Sequence, residues 1–398
     1  MLYSQKGTLI IDYVYSLTLL ILSSSNVFVY YTGVRELRFL HYLGFLVGLL
    51  FCYIYGIKSF KKIPSATKAY LLLIIYSLIT CFSFTIDGIG HLVFWLAAVL
   101  MVLPNHDFKL NIRSFNLIYV IVQMSIVREL HIDLSIASFL ESSTSSVETN
   151  APAFLLPIFF VYFLYAGDKV MCLINLFVSV IFGKRIIMIV LIYVLIVYCY
   201  QKYLTKRKSV NNSSFTPIMV NAVYLIIIVL FVSGVFSEFL MSLFGVDIGI
   251  LTMGRNMLYE VVVTDLLKSD FIQWLFGHGT ASVQIILQKQ FNDILHNDVL
   301  KILYEYGCVV FVVFFWLLYR DVKSWSQFSL ISAINVFFLT DNTLIYTSVI
   351  TMFLLVDQKL KNNNKNEKKL RFVRRWYAWS WYYIPYVTSR MRNQKTIL

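Results

Sequence analysis

The sequence predicts an all-α polytopic integral membrane protein of about twelve transmembrane helices, with one large external loop before the tenth. Three observations predict it. The 398 residues are 59% apolar and only 14% charged, with a mean hydropathy of +0.73, which does not suit a core surrounded by water. Apolar runs of bilayer-crossing length recur along nearly the whole chain. The connections between them alternate between basic and non-basic, as they should when no span has been missed or invented. An ordinary soluble enzyme is excluded.

The first run, 8–32, has only Lys6 before it and passes Ser23 to Ser25 without a convincing small-residue cleavage site, so it reads as an uncleaved span. Spans near 39–57, 69–86, 89–103 and 114–127 follow, then 153–167, 169–182, 186–203 and 217–236. The basic pair Lys184 and Arg185 interrupts the run of 34 residues from 170 to 203, which is otherwise almost wholly apolar. As one helix it would be roughly 50 Å long, too long for a ~30 Å hydrocarbon core, so two short or tilted spans are expected to turn at Gly183. The last spans fall near 299–319, 327–339 and 343–357.

With these spans, 25 Lys/Arg fall on one side and nine on the other, together with fifteen of the 21 acids. Both termini are therefore predicted cytoplasmic. Residues 358–398 carry a net charge of +10 and the other 357 residues only +3. The basicity is one of membrane topology, and no nucleic-acid surface is expected. The division is a transmembrane domain 1–357, with external loops 128–152 and 237–298, and a basic, aromatic-rich tail 358–398. The tail segment RRWYAWSWYYIPY suits the cytoplasmic headgroup region as an anchor, with a partner-binding segment as the alternative.

Loop 128–152 is Ser-rich and acidic, and loop 237–298 contains amphipathic stretches such as MLYEVVVTDLLKSDFIQWLFG, read as short helices lying on the membrane. The five cysteines lie in apolar segments without a CxxC pair or a His at ligand spacing, so no metal site or disulfide framework is expected. No internal repeat of the kind common in transporters is visible.

Several polar residues carry chemistry. Lys184 and Arg185 are two cations near the outer headgroup level, with either of two readings: they snorkel to lipid phosphates, or they hold a lipid diphosphate, for which the Arg fork is suited. Arg255 follows Gly254 in the large loop and is placed to join Arg185 if that loop folds back. His278, between Gly277 and Gly279, reads as a turn residue more readily solvated than catalytic. In LHNDVLKILYEYG, Asn297 suits a helix cap and Asp298 the helix dipole, while Lys301 stands one turn from Glu305 on the same face. His296 has no structural job in that account, and an imidazole at a membrane surface can take a proton from a hydroxyl.

The ordered set Gly183-Lys184-Arg185, Gly254-Arg255, Gly277-His278-Gly279, His296-Asn297, Glu305 and Gly307, with the turn Thr340-Asp341-Asn342, resembles the bacterial O-antigen polymerase and ligase superfamily, nearest its Wzy-type polymerases. The resemblance covers roughly 180–357, and the first half matches in hydropathy only. The two long arginine-bearing loop motifs of some polymerases are not visible, since Leu266 stands eleven residues after Arg255 where Gly is the pattern.

The resemblance implies metal-independent glycosyl transfer, without a cofactor, on the periplasmic side of the inner membrane. Undecaprenyl-diphosphate-linked oligosaccharide is the donor, and a flippase and a chain-length regulator of the same pathway are further partners besides membrane lipids. It gives His296 the acceptor hydroxyl, and Arg185 and Arg255, helped by Lys184, the leaving diphosphate. Glu305 either orients His296 or stays a structural ion pair, and Asn297, Asp341 and Asn342 contact substrate. O-antigen ligase and lipid-linked oligosaccharide flippase are the competing readings.

Overall fold

The structure is a computed structural model that describes residues 2–32, 40–80, 86–106, 108–129, 151–182, 185–205, 210, 215–234, 242, 255–291 and 295–362. Among these residues the regular structure is helical, with one isolated bridge between Ile57 and Pro104. The helices are α1 (Leu2–Ser23), α2 (Ser25–Thr32), α3 (His41–Tyr55), α4 (Ser65–Ile79), α5 (Ile86–Leu100) and α6 (Ile112–Glu129). After them come α7 (Leu155–Ala166), α8 (Lys169–Ile181), α9 (Arg185–Cys199) and α10 (Phe215–Val232). The large loop holds α11 (Arg255–Lys268), α12 (Phe271–Phe276) and α13 (Ser282–Gln290). The chain then continues through α14 (Asp298–Arg320), α15 (Trp325–Thr340) and α16 (347–362).

Each of the twelve expected segments contains helix, with three local differences. The segment 8–32 is two helices meeting at Ser24. The third segment turns helical earlier than expected, at Ser65, and the helix at the last segment starts at 347, after a 3-10 turn over Thr343–Ile345. Residues 130–150, in the loop that the sequence predicts to be external, the turn at Gly183-Lys184 and the tail beyond 362 lie outside the described residues.

Among the described residues, three helical stretches, Ile186–Thr205, Phe215–Val232 and Asp298–Arg320, are long and apolar enough to cross a membrane. Side-chain polarity is arranged inside out around them. On α10, Phe215, Met219, Val223 and Ile226 face outward, while Asn221 has no exposed surface. Asn221 exchanges two 3.2 Å amide hydrogen bonds with Asn335 on α15. On α8, Leu173 and Phe177 are exposed and Asn175 and Ser179 are buried, both bonded to their own helix. Apolar residues outside and polar groups turned inside are the polarity of a helical membrane protein.

The bundle has two chemically different ends. At one, Lys58 donates to Val102 O and to Gln358, Lys359 donates to Leu110 O, Lys361 pairs with Asp321, and Arg113 pairs with Asp168. These residues come from the alternate connections that the sequence marks as basic. At the other end, Asp298 accepts from Thr343 and Leu344, and Phe154 packs on Phe337 and Tyr346. Helix α14 runs between the ends through the core, packed on α4, α10, α12 and α15.

Helix α14 is kinked at Gly307, whose φ of 72° and ψ of 175° are not helical. The kink frees the carbonyls of Tyr304 and Glu305 from their own helix. The loop segment Gly277-His278-Gly279 takes them: His278 N–H donates to Tyr304 O at 3.0 Å and Gly279 N–H to Glu305 O at 2.9 Å. Buried backbone groups need such partners. The approach is so close that a Cβ on Gly277 would lie 2.4 Å from Glu305 O, and one on Gly307 2.4 Å from Leu275 O. Both glycines also have positive φ, so no other residue fits easily at either position.

Candidate functional site

The site is built where α14 starts. Asn297 is its cap, with Oδ1 accepting from Leu300 N–H at 2.9 Å. Its Nδ2 donates to the Tyr224 hydroxyl at 3.1 Å, and Tyr224 in turn donates to Leu339 O at the end of α15. The cap therefore ties α14 to α10 and α15, and it holds His296 just outside the helix. Tyr259 on α11 completes the seat by donating to His296 O at 3.2 Å.

Helix α15 ends at Thr340 and delivers Asp341, which is buried, to the imidazole: His296 Nδ1 and Asp341 Oδ1 are 3.4 Å apart. Asp341 Oδ1 also accepts from Asn342 N–H at 2.7 Å. The His296 side chain is 32% exposed against 4% for Asp341, so the imidazole is the accessible member. With the carboxylate at Nδ1, the proton belongs on Nδ1 and the lone pair on Nε2, which has no protein partner among the described residues.

Arg255, the first residue of α11, is beside this pair. Its Nη1 donates to Thr340 O at 3.1 Å, which leaves four further N–H groups of the guanidinium for another ligand. Burial raises the Tyr259 phenol above its usual range, and the Arg255 cation pulls it back down. Asp298, fully buried, fixes the next turn through Thr343 and Leu344, and its Oδ1 is left without a hydrogen bond. Asn342 Oδ1 is likewise buried and unsatisfied.

Of the residues singled out in the sequence, His296, Asn297, Arg255, Asp341 and Asn342 are thus brought to one place. Glu305 is not. It sits nine residues along α14 from His296, about 13 Å at the helical rise, fully buried, and Asp341 occupies the position at the imidazole that Glu305 was expected to fill. Nor does Glu305 form an ion pair with Lys301 within 4.0 Å among the described residues. Its carboxylate lies against the backbone N–H groups of Ala281 and Val283 at the start of α13 without closing a well-aligned hydrogen bond to either.

His278 is also not a solvated turn. Its ring stacks on Tyr304 at 4.1 Å, Nδ1 is 3.1 Å from Tyr304 O and Nε2 is 2.9 Å from Ser269 Oγ. It locks the joint at the α14 kink. Lys184 and the Arg185 side chain lie outside the described residues. The backbone nevertheless sets the end at which Arg185 starts α9. Tyr200, just past the end of α9, packs against Trp325, the first residue of α15. The two helices are antiparallel, and α9 begins at the end where α15 delivers Asp341.

Two contributors have no mark in the sequence, since Tyr224 and Tyr259 are two among 27 tyrosines; Thr340 is marked as part of its turn, but the group it contributes is a backbone carbonyl. No protein-family model, no curated protein and no solved structure matches the chain.

Proposed function

We propose that this protein polymerises undecaprenyl-diphosphate-linked oligosaccharide repeat units into O-antigen or a related surface polysaccharide, at the outer face of the bacterial inner membrane. The observation that carries the reading is the His296–Asp341 pair, with a partly exposed imidazole beside Arg255, at the less basic end of an inside-out helical bundle. In this reading the twelve helical segments are twelve spans. Both termini are cytoplasmic, and α11 to α13 belong to a periplasmic loop.

The reaction joins two lipid-linked chains. A hydroxyl of the incoming repeat unit attacks the anomeric carbon of the growing chain, the bond to the lipid diphosphate breaks, and the diphosphate leaves with the electron pair. His296 Nε2 takes the hydroxyl proton, and Asp341 stabilises the imidazolium that forms, a general-base contribution of about 10²- to 10⁴-fold. Arg255, with Arg185 and Lys184 entering from the start of α9, offsets the charge growing on the diphosphate. Asn297 and Asp341 position the base, and Asn342 stands next to Asp341 with a buried, unsatisfied Oδ1 that a sugar hydroxyl would reach only when substrate opens the site.

Ligation of finished polymer to lipid A-core is the second reading, because the same groups serve another acceptor. The surface-polysaccharide ladder of a deletion strain separates the two. Loss of a polymerase leaves surface glycolipid with one repeat unit, and wild-type protein restores the ladder while His296→Ala at equal membrane level does not. Bare core with accumulated lipid-linked polymer in the deletion strain identifies a ligase. An intact ladder in the deletion strain would remove both readings.

A further inference from the structure

We propose that Asp298, Thr343 and Trp95 are positioning residues that aim the Asp341 carboxylate at His296. The inference rests on the reading of His296 as the base, and it concerns what keeps that base in register with its partner. Asp341 has left helix α15, with extended backbone at φ −148° and ψ −176°, and the next regular turn is Thr343–Ile345. The direction of its carboxylate depends on how that turn is anchored.

Two helices grip the turn. From the start of α14, Asp298 Oδ2 accepts from Thr343 Oγ1 and from Leu344 N–H, each at 2.9 Å. From α5, Trp95 Nε1 donates to Leu344 O at 2.7 Å. Both backbone groups of Leu344 are thus taken by side chains. Asp298, Trp95 and Leu344 have no exposed surface, and Thr343 almost none. In such dry surroundings a lost partner leaves a buried polar group unpaired, so each bond holds the geometry firmly.

The first position of a helix suits an Asp for the sake of the dipole, but that role asks for no partner 45 residues away. The carboxylate reaches the loop that carries Asp341, while its chain neighbours Asn297 and His296 are the cap and the base. The contacts close a ring. His296 meets Asp341, Leu344 farther along the turn is bound to Asp298, and Asp298 leads back along the backbone to His296. Reacting groups need such support, because a displacement of about 1 Å can cost 10²-fold in rate. Trp95 brings a further helix, α5, into that support.

The test reads the imidazole itself, without transfer. The full chain in liposomes carries histidine labelled with 15N at Nδ1 only, and the His296 resonance in solid-state spectra is identified by its loss in His296→Gln. At about pH 9, where an imidazole is ordinarily neutral, wild type should show a protonated Nδ1. Thr343→Ser, which keeps the hydroxyl, should match it. Thr343→Val, Trp95→Phe and Asp298→Ala should each move roughly half or more of that intensity to the unprotonated position, since an imidazole without a partner at Nδ1 takes up both tautomers. Gln327→Leu breaks a buried bond to Asp357 at the far end of α15, so it should lower the thermal midpoint and keep the wild-type resonance. In transfer assays Thr343→Val, Trp95→Phe and Asp298→Ala should lose about ten- to 10²-fold in kcat with KM near that of wild type.

An unprotonated Nδ1 in wild type, wild-type spectra from folded Trp95→Phe and Thr343→Val, or a shift in Gln327→Leu as large as theirs would each overturn the assignment. Spectra that follow the expected pattern in a protein without transfer activity would support the positioning of Asp341 and contradict polymerisation alone.

Discussion

His296 Nδ1 lies 3.4 Å from Asp341 Oδ1, a contact between residues 45 positions apart that depends on α15 ending beside the start of α14. The carboxylate is buried and the imidazole is accessible, so one residue is placed to orient and the other to react. The first prediction tests that division of labour. Asp341→Asn keeps the shape but removes the charge that holds Nδ1–H, so it should lower the rate of repeat-unit transfer by about 10²-fold or more without reducing membrane levels. His296→Ala should cost at least as much, and the double variant should be little worse than His296→Ala, since residues acting as a unit are not additive. Additive losses would separate the two residues.

Arg255 is held by one bond to Thr340 O. Arg255→Ala should cost about 10²- to 10³-fold in turnover if it stabilises charge on the leaving diphosphate. Arg255→Lys should recover only part, because an ammonium lacks the fork that grips two oxygens at once. Equal rates for Lys and Arg would reduce the site to a simple positive charge.

The joint at the α14 kink makes a stability prediction. Gly277→Ala or Gly307→Ala drives a methyl to within 2.4 Å of backbone oxygen at a positive-φ position. Each should destabilise the protein by on the order of 3–5 kcal/mol, read as loss of folded protein in detergent extracts. His278→Ala removes a stacked ring and the side-chain contacts to Ser269 Oγ and Tyr304 O but leaves the two backbone bonds. It should cost less, about 1–2 kcal/mol. Thermal melts of the three variants give the order.

Glu305→Gln distinguishes structure from chemistry. Its carboxylate faces the start of α13 and does not reach His296. The amide variant should therefore change thermal stability while the ratio of transfer rates across pH stays that of wild type. A changed pH profile at unchanged stability would return Glu305 to the reaction.

At the opposite end, burial pushes the Asp321 carboxyl up, but the hydrogen bond and charge of Lys361, with Ser65, outweigh it and hold the group below its ordinary range. A depressed carboxyl contributes stability that is present above its unfolded pKa of about 3.9 and is lost as pH falls through the folded value. Both side chains are partly exposed, at 37% and 27%, so solvent screening keeps the effect to roughly 1 kcal/mol or less. Lys361→Ala should lower the thermal midpoint at neutral pH slightly and bring it level with wild type once the pH has fallen below the folded pKa of Asp321.

What was legible in the sequence follows from the range of the interactions involved. Helices at the twelve segments, the Asn297 cap and the clustering of basic connections at one end rest on local hydropathy, capping and charge, all of which act within a few residues. The break at Ser24 inside the first segment left no such mark. The His296–Asp341 contact depends on where two helix ends meet, which no local pattern encodes, and Glu305 was the nearer carboxylate only along the chain. Gly277 and Gly307 were visible as residues, but not as the two sides of one backbone contact. Lys301 shares a helical face with Glu305, yet burial draws that carboxylate toward backbone N–H groups instead.

The most direct test of the account uses the purified protein in liposomes with the lipid-linked repeat unit extracted from the deletion strain, with and without EDTA, followed by gel separation of the products. The account predicts a ladder of increasing repeat number with wild type in both conditions and a single band with His296→Ala. A ladder from His296→Ala equal to that of wild type would contradict the assignment of His296 as the base. No ladder from folded wild-type protein would contradict polymerisation itself.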